Sequence, residues 1–221
     1  MTNHDSHHGG ERSPAAKPLQ TRSVKTFEAI LTAAAEILEE SGVDGLSTNL
    51  VCARCGLTPP ALYRYFSDKF AIMEELARRL MAAQDAALVG WIEGGGLASQ
   101  NLEEAFRSNY ACQAKVNAVT ETVVGGLAIM QAMRSVRRLR GIRLASHDYA
   151  AGRLAEGWRA HFDGVDPPDL RFASRLIVDI SYFATELVLQ EQDRDRERVT
   201  ADVMWMLTLY LARFQERPSL E

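Results

Sequence analysis

From Ser23 almost to the end of the chain, apolar residues recur at helical spacing, and no convincing alternating run interrupts them. Phe27, Ile30, Leu31, Ala34, Ile37 and Leu38 share one helical face and Gly42 follows as a stop, which predicts a first helix of about five turns. Further along, the same pattern predicts helices over roughly Leu97–Val119, Glu121–Met133, Ile142–Phe162, Pro168–Gln190 and Arg194–Gln215, with breaks at Gly125-Gly126, Asp163-Gly164 and Pro167-Pro168. The expected fold class is all-α, with about nine helices.

Between the first helix and the long ones, three shorter signals come in quick succession. Ser47 is placed to cap a short helix, Thr48–Cys55, that Gly56 ends. Thr58 is placed to cap a third that opens on Pro59 and Pro60 and runs to Phe66; proline is tolerated there because first-turn N–H groups have no intrahelical partner. Ser67 is the expected cap of a fourth, through Met73, Leu76 and Leu80 to about Trp91, stopping at Gly94-Gly95-Gly96. Two short helices joined by a tight glycine turn are what reading a DNA major groove requires.

On the third helix, Leu62 and Phe66 point inward at helical spacing, leaving Ala61, Tyr63, Arg64 and Tyr65 outside. Arg64 can fork to a guanine edge or a phosphate, and tyrosine hydroxyls suit phosphate oxygens. Periodicity leaves two readings of Tyr63 and Tyr65: contact with DNA, or packing between helices.

Charge offers no global support for a nucleic-acid partner, since the formal net charge is -4. The charges of the N-terminal part are segregated, however, with bases in the tail and after Cys52, and acids mostly in the first helix. No run of about 18 uncharged apolar residues occurs, and the N-terminus lacks the order of a secretory signal, so a cytoplasmic protein with no membrane partner is expected. Residues 1–20, polar and rich in Gly, Pro and His, are expected to be a disordered tail, with His4, His7 and His8 solvated rather than metal-bound.

The segment from Ile30 to Lys69, with its Ala-rich first helix, the Gly56 turn, the Leu-Tyr-Arg-Tyr-Phe block at 62–66 and Lys69, resembles the N-terminal domain of the tetracycline-repressor (TetR) family of regulators. The resemblance implies a helix-turn-helix DNA-binding domain over residues 21–68 and a ligand-binding and dimerisation domain over 69–217. It implies DNA contacts from Ser47, Thr48, Asn49, Thr58, Pro59, Pro60, Ala61, Tyr63, Arg64, Tyr65 and Lys69. Two departures stand out: Pro59-Pro60 replaces a commoner basic residue and glycine, and Leu50 stands where a polar residue is usual. Cys52 and Cys55 form a CxxC, but they fall where the family places small buried alanines and no second CxxC or nearby His completes a metal site, so they are read as structural.

The last two helices carry long apolar stripes. The resemblance implies a homodimer there, with Ile180, Phe183, Leu187, Val203, Met206 and Tyr210 as interface candidates. Two-fold symmetry would set two recognition helices against a pseudo-palindromic double-stranded operator. Trp91, Phe106, Tyr110, Met130, Met133 and Trp158 are the candidates for lining an effector cavity, or else plain core; Asn109, Gln113, His147 and Glu186 are the candidate polar partners. The cluster Arg134, Arg137, Arg138, Arg140 and Arg143 is a solvated face, a partner for the acids of the first helix, or a site for a ligand phosphate such as that of an acyl-CoA. The expected function is a ligand-responsive repressor released from its operator by a small apolar or aromatic molecule, with no cofactor, no metal and no catalysis. The rivals are an adaptor that keeps the fold and works by protein contacts, and a helical thiol enzyme using the CxxC.

Overall fold

The computed structural model describes residues 17–190 and 195–216, and no strand occurs among them. The helices are α1 (Lys17–Gly45), α2 (Thr48–Cys55), α3 (Pro59–Leu62), α4 (Lys69–Glu93), α5 (Leu102–Thr122), α6 (Gly126–Ser135), α7 (Arg140–Trp158), α8 (Pro167–Gln190) and α9 (Arg196–Glu216). His4, His7 and His8, with the rest of 1–16, lie outside the described residues.

Local signals account for most of these boundaries. The Ser47 side chain accepts from Leu50 N–H at 3.2 Å, and Gly56 closes α2 in the left-handed region at φ 64°. Gly42 takes φ 65° and kinks the end of α1, after which the chain continues to Gly45. Three details differ from expectation. α1 begins at Lys17, so residues 17–20 form its first turn rather than tail, with Pro18 where a missing N–H does no harm. Asp68, not Ser67, caps α4, its carboxylate accepting from Ala71 N–H at 2.8 Å. Regular helix in α3 stops at Leu62, Thr58 makes no side-chain cap bond, and 63–66 follow as a tighter turn in which Tyr65 N–H reaches back only to Leu62.

Two cores result. The first gathers α1, α2, α3, the first half of α4 and α6 around Ile30, Ile37, Leu38, Leu62, Ile72, Met73, Leu80, Met130 and Met133, all but closed to solvent. α6 lies hard against α1 at Gly125, which sits at φ 68° and where a Cβ would come within 2.6 Å of the Ala35 carbonyl oxygen. The second core joins the end of α4 to α5, α7, α8 and α9 through Trp91, Leu154, Trp158, Ile177, Met204, Leu207 and Phe214. α4 therefore belongs to both, and is the rod that connects them.

Candidate DNA interface and internal cavity

The two short helices rest on α1 by their buried faces, Val51 and Cys52 from α2 and Leu62 from α3, with Phe66 just beyond. That leaves Asn49, Thr58, Pro59, Pro60 and Arg64 exposed, Ser47 exposed at the cap, and Thr48 and Ala61 half-buried. Tyr63 is 51% exposed and its hydroxyl lies 3.3 Å from Thr48 Oγ1, which ties the start of α2 to the end of α3. Tyr65 is half-buried instead, its ring 6.4 Å from that of Phe27 and its hydroxyl accepting from Ser23 Oγ. The two tyrosines thus divide between the two possibilities open in the sequence: Tyr63 is presented outward, and Tyr65 is wedged between α1 and the turn.

Lys69 is also less free than expected. Its Nζ donates to the carbonyls of Val43 and Leu46 at 3.2 and 3.0 Å, so it holds the α1–α2 corner against the start of α4. Sequence reasoning missed the other braces of this unit. Arg54 on α2 forks to Glu40 on α1 at 2.8 and 2.7 Å, and Arg79 on α4 forks to Glu28 on α1 at 2.6 and 2.8 Å. These hydrogen bonds hold the Glu40 and Glu28 carboxyls below the ordinary glutamate value. The signal was present as acids on the first helix facing bases at long range, but nothing in a sequence pairs them.

Neither cysteine of the CxxC is poised for chemistry. Cys52 is buried, Cys55 donates to the Ala29 carbonyl at 3.3 Å, and burial pushes both thiols up, away from the thiolate form. No group of three or more His, Cys, Asp or Glu among the described residues is arranged to hold a metal ion.

Within the second core lies a cavity of about 100 Å3 between α4, α5, α7, α8 and α9. Trp91 and Trp158 line it, with Leu88, Leu154, Ile177 and Met204. Phe106 and Tyr110 do not: Phe106 stacks edge-on against Trp205 of α9 at 5.3 Å, with Tyr110 beside it. Met130 and Met133 belong to the first core, because the close approach at Gly125 turns α6 onto α1 and away from the cavity. Of the polar candidates, Asn109, Gln113 and His147 reach the cavity, whereas Glu186 is buried in an ion pair with Arg134 at 2.8 Å. The lining residues that sequence reasoning passed over, Gln84, Asp85, Ser146 and Tyr182, are polar groups on faces otherwise apolar.

Residues 30–76 match the family described as "Bacterial regulatory proteins, tetR family". The chain belongs to the TetR family. The transcriptional regulator UidR of Escherichia coli K12 is 26% identical over 169 residues, 74% of this chain and 82% of UidR. The class A tetracycline repressor from transposon 1721 of Escherichia coli is 42% identical over 53 residues, 24% of each chain. Among solved structures, the fatty-acid regulator FadR of Bacillus subtilis, in complex with stearoyl-CoA, superposes with a TM-score of 0.62 at 17% identity, covering 82% of this chain and 97% of FadR. The TetR-family match ends within α4, so it takes in the helix-turn-helix and its braces but none of the cavity. This is a DNA-binding transcriptional regulator of all-helical fold.

Two further surfaces of this TetR-family chain complete the picture. The arginine cluster meets acids, but those of α4 and α8 rather than of the first helix: Arg138 pairs with Asp68 and Glu74, and Arg134 with Glu186. On α8 and α9, Phe183 is 49% and Met206 66% exposed, while Ile180, Leu187, Val203 and Tyr210 are half-buried. No single helix among the described residues is long and apolar enough to cross a membrane.

Proposed function

We propose that this regulator is a cytoplasmic homodimeric repressor that holds a pseudo-palindromic operator and lets go when a small apolar or aromatic molecule enters the cavity of the second core. The observation that carries this is the position of α4. Its first turn is gripped by the DNA-binding unit through Lys69, its far end lines the cavity through Leu88 and Trp91, and Arg138 from the α6–α7 corner pairs with its Asp68 cap. A ligand that fits the cavity better with α4 shifted biases the spacing of two recognition helices, which is a population shift set by differential affinity.

In this reading Ser47, Thr48 and Asn49 at the start of α2, and Thr58 to Ala61 with Tyr63 and Arg64, face the groove and its phosphates. Pro59 and Pro60 remove two N–H donors from the start of α3, so phosphate contact falls on side chains and on the N–H groups of α2. The exposed face of α8 and α9 meets its copy across the two-fold axis, where Phe183 and Met206 lose their exposure to water. The effector is small. FadR carries stearoyl-CoA, but here the cavity is about 100 Å3 and Arg134 and Arg138, the charges nearest in sequence to a phosphate-binding role, are committed to Glu186, Asp68 and Glu74.

The test is fluorescence anisotropy of the full chain on a duplex from its own promoter region, across a salt series. Binding that weakens steeply with salt, at a stoichiometry of a dimer per site, is expected. No binding to that duplex at low salt would remove the proposal.

A further inference from the structure

Most polar groups that line the cavity already have partners. Gln84 donates to Thr120 at 2.7 Å, Gln113 to Thr185 at 2.8 Å, Asn109 to Thr208 at 2.9 Å, and Ser146 to Asp85 at 2.9 Å. Two atoms are exceptions: Nε2 of His147 and the hydroxyl of Tyr182 are buried without a protein partner. Their rings are neighbours, with centroids 4.7 Å apart.

The orientation of His147 is over-determined. Its side chain is 3% exposed, and Nδ1 lies 2.6 Å from Oδ1 of Asp179, a carboxylate on the solvent side of α8. Nε2, on the opposite edge of the ring, therefore faces inward to the cavity that His147 lines. Asp179 is itself fixed by Arg175 on the same helix, whose Nε donates to Oδ2 at 3.0 Å. Burial works to raise the Asp179 carboxyl, yet the hydrogen bonds from His147 and Arg175 bring it below its ordinary value, so it is an acceptor. An acceptor at Nδ1 places the proton there and leaves Nε2 as a lone pair. Burial is also the largest influence on His147 and pushes it toward the neutral form, helped by the charges of Arg143 and Arg175 and opposed by Asp179.

We infer that the effector is an uncharged molecule of about one aromatic ring's bulk that carries a hydroxyl group, and that this hydroxyl donates to Nε2 of His147. This rests on the cavity being the effector site. Size follows from volume: an apolar cavity of about 150 Å3 accepts benzene, so about 100 Å3 admits a single ring once the flexible Met204 yields. Chemistry follows from the free atoms. A hydroxyl both donates and accepts, and so satisfies His147 Nε2 and the Tyr182 O–H together. A carboxylate donates nothing to a neutral imidazole, and on entering it faces Asp85 across the same cavity.

The experiment is a titration of the full chain with 4-ethylphenol, ethylbenzene and 4-ethylbenzoate, read by fluorescence quenching of Trp91 and Trp158, which line the cavity, and by calorimetry. 4-Ethylphenol is expected to bind about tenfold tighter than ethylbenzene, with 4-ethylbenzoate weakest. In His147→Phe the phenol and the hydrocarbon should bind within about twofold of each other. A second variant keeps the test independent of that packing change. In Asp179→Asn, Arg175 holds the amide oxygen, the amide N–H₂ turns to His147, and the imidazole proton moves to Nε2. That variant should prefer acetophenone, a hydrogen-bond acceptor, over 4-ethylphenol. Equal binding of phenol and hydrocarbon to the native chain, or tightest binding of the benzoate, would overturn the inference and leave the cavity as an effector site. Failure of all three to bind would overturn the assignment of the cavity itself.

Discussion

The two cores of this regulator are built to different tolerances. Around α1, α2, α3 and α6, large side chains such as Ile30, Ile37, Met130 and Met133 are completely closed to solvent, and Arg54, Arg79 and Lys69 pin the surface. Around α5, α7, α8 and α9, the core side chains stop short of one another and leave a cavity with unpartnered polar atoms on its wall. A recognition surface must keep its geometry when it meets DNA, so strain there is designed out. A sensor needs a place where a ligand adds contacts that the protein lacks, because only a differential contact shifts an equilibrium. Tight packing in one half also lets a small change at the cavity pass along α4 as a rigid displacement rather than being absorbed.

Truncations should expose this difference most strongly. Met133→Ala removes a side chain packed on all sides and is expected to cost about 3–5 kcal/mol, read from chemical denaturation. Leu207→Ala removes one that already borders empty space, and should fall near the lower limit of such changes, about 2 kcal/mol, while widening the set of ligands bound. Equal losses at the two positions would erase the contrast between the cores.

Next in size is the recognition surface. Replacing Tyr63 and Arg64 together by alanine should lower duplex affinity about 100-fold with an unchanged melting temperature, since both side chains are exposed. Tyr65→Ala should do the reverse, lowering the melting temperature through its lost packing on Phe27 before it affects DNA contact. Anisotropy and thermal melting on the same preparations separate the two.

The same contrast explains what was legible in the sequence. α2 could be read from Ser47 to Gly56 because both caps are local chemistry, and Leu62 and Phe66 could be set inward because a short helix on a tight turn has one side to bury. The α4 cap was misplaced by one residue, since Ser67 and Asp68 are equally good caps and only Asp68 also meets Arg138. The cavity was half legible. Trp91, Trp158 and His147 line it, but a cavity is defined by where side chains fail to meet, and helical period carries no information on that. Met130 and Met133 have the same spacing as a cavity wall and end in the tight core, because the turn at Gly125 folds α6 onto α1.

Communication between the halves should be separable from either. Arg138→Ala breaks the pairs with Asp68 and Glu74 at the solvent-exposed start of α4. Duplex affinity without effector is expected to change less than about threefold, as surface pairs contribute little. The fold-release produced by a saturating ligand such as 4-ethylphenol should shrink, measured as the ratio of duplex affinities with and without it. Full release in this variant would move the coupling elsewhere along α4.

The smallest effect is one of pH, and its sign is determined by the depressed pKa of His147. The groups facing the imidazole are Asp179 and Arg175 on the outer side of α8, Tyr182 on the same helix, Arg143 on α7 and Asp85 across the cavity. Burial, the dominant influence, holds the folded histidine below the value of an unfolded one, about 6.5. As pH falls through that value, the unfolded chain takes up a proton that the folded chain refuses, so stability declines on acidification and is regained on raising the pH. Asp85, which burial raises, works in the opposite sense but lower on the scale, above the ordinary aspartate value. A melting temperature that drops modestly as pH falls below about 6.5 in the native chain, and not in His147→Phe, is the expected result. Ligand binding should fall further still as the proton claims Nε2, because the lone pair that accepts the effector hydroxyl is then gone. A 4-ethylphenol affinity that stays level while stability declines would place the hydroxyl on Tyr182 alone, and would separate the sensor's hydrogen bond from the histidine that the fold so carefully orients.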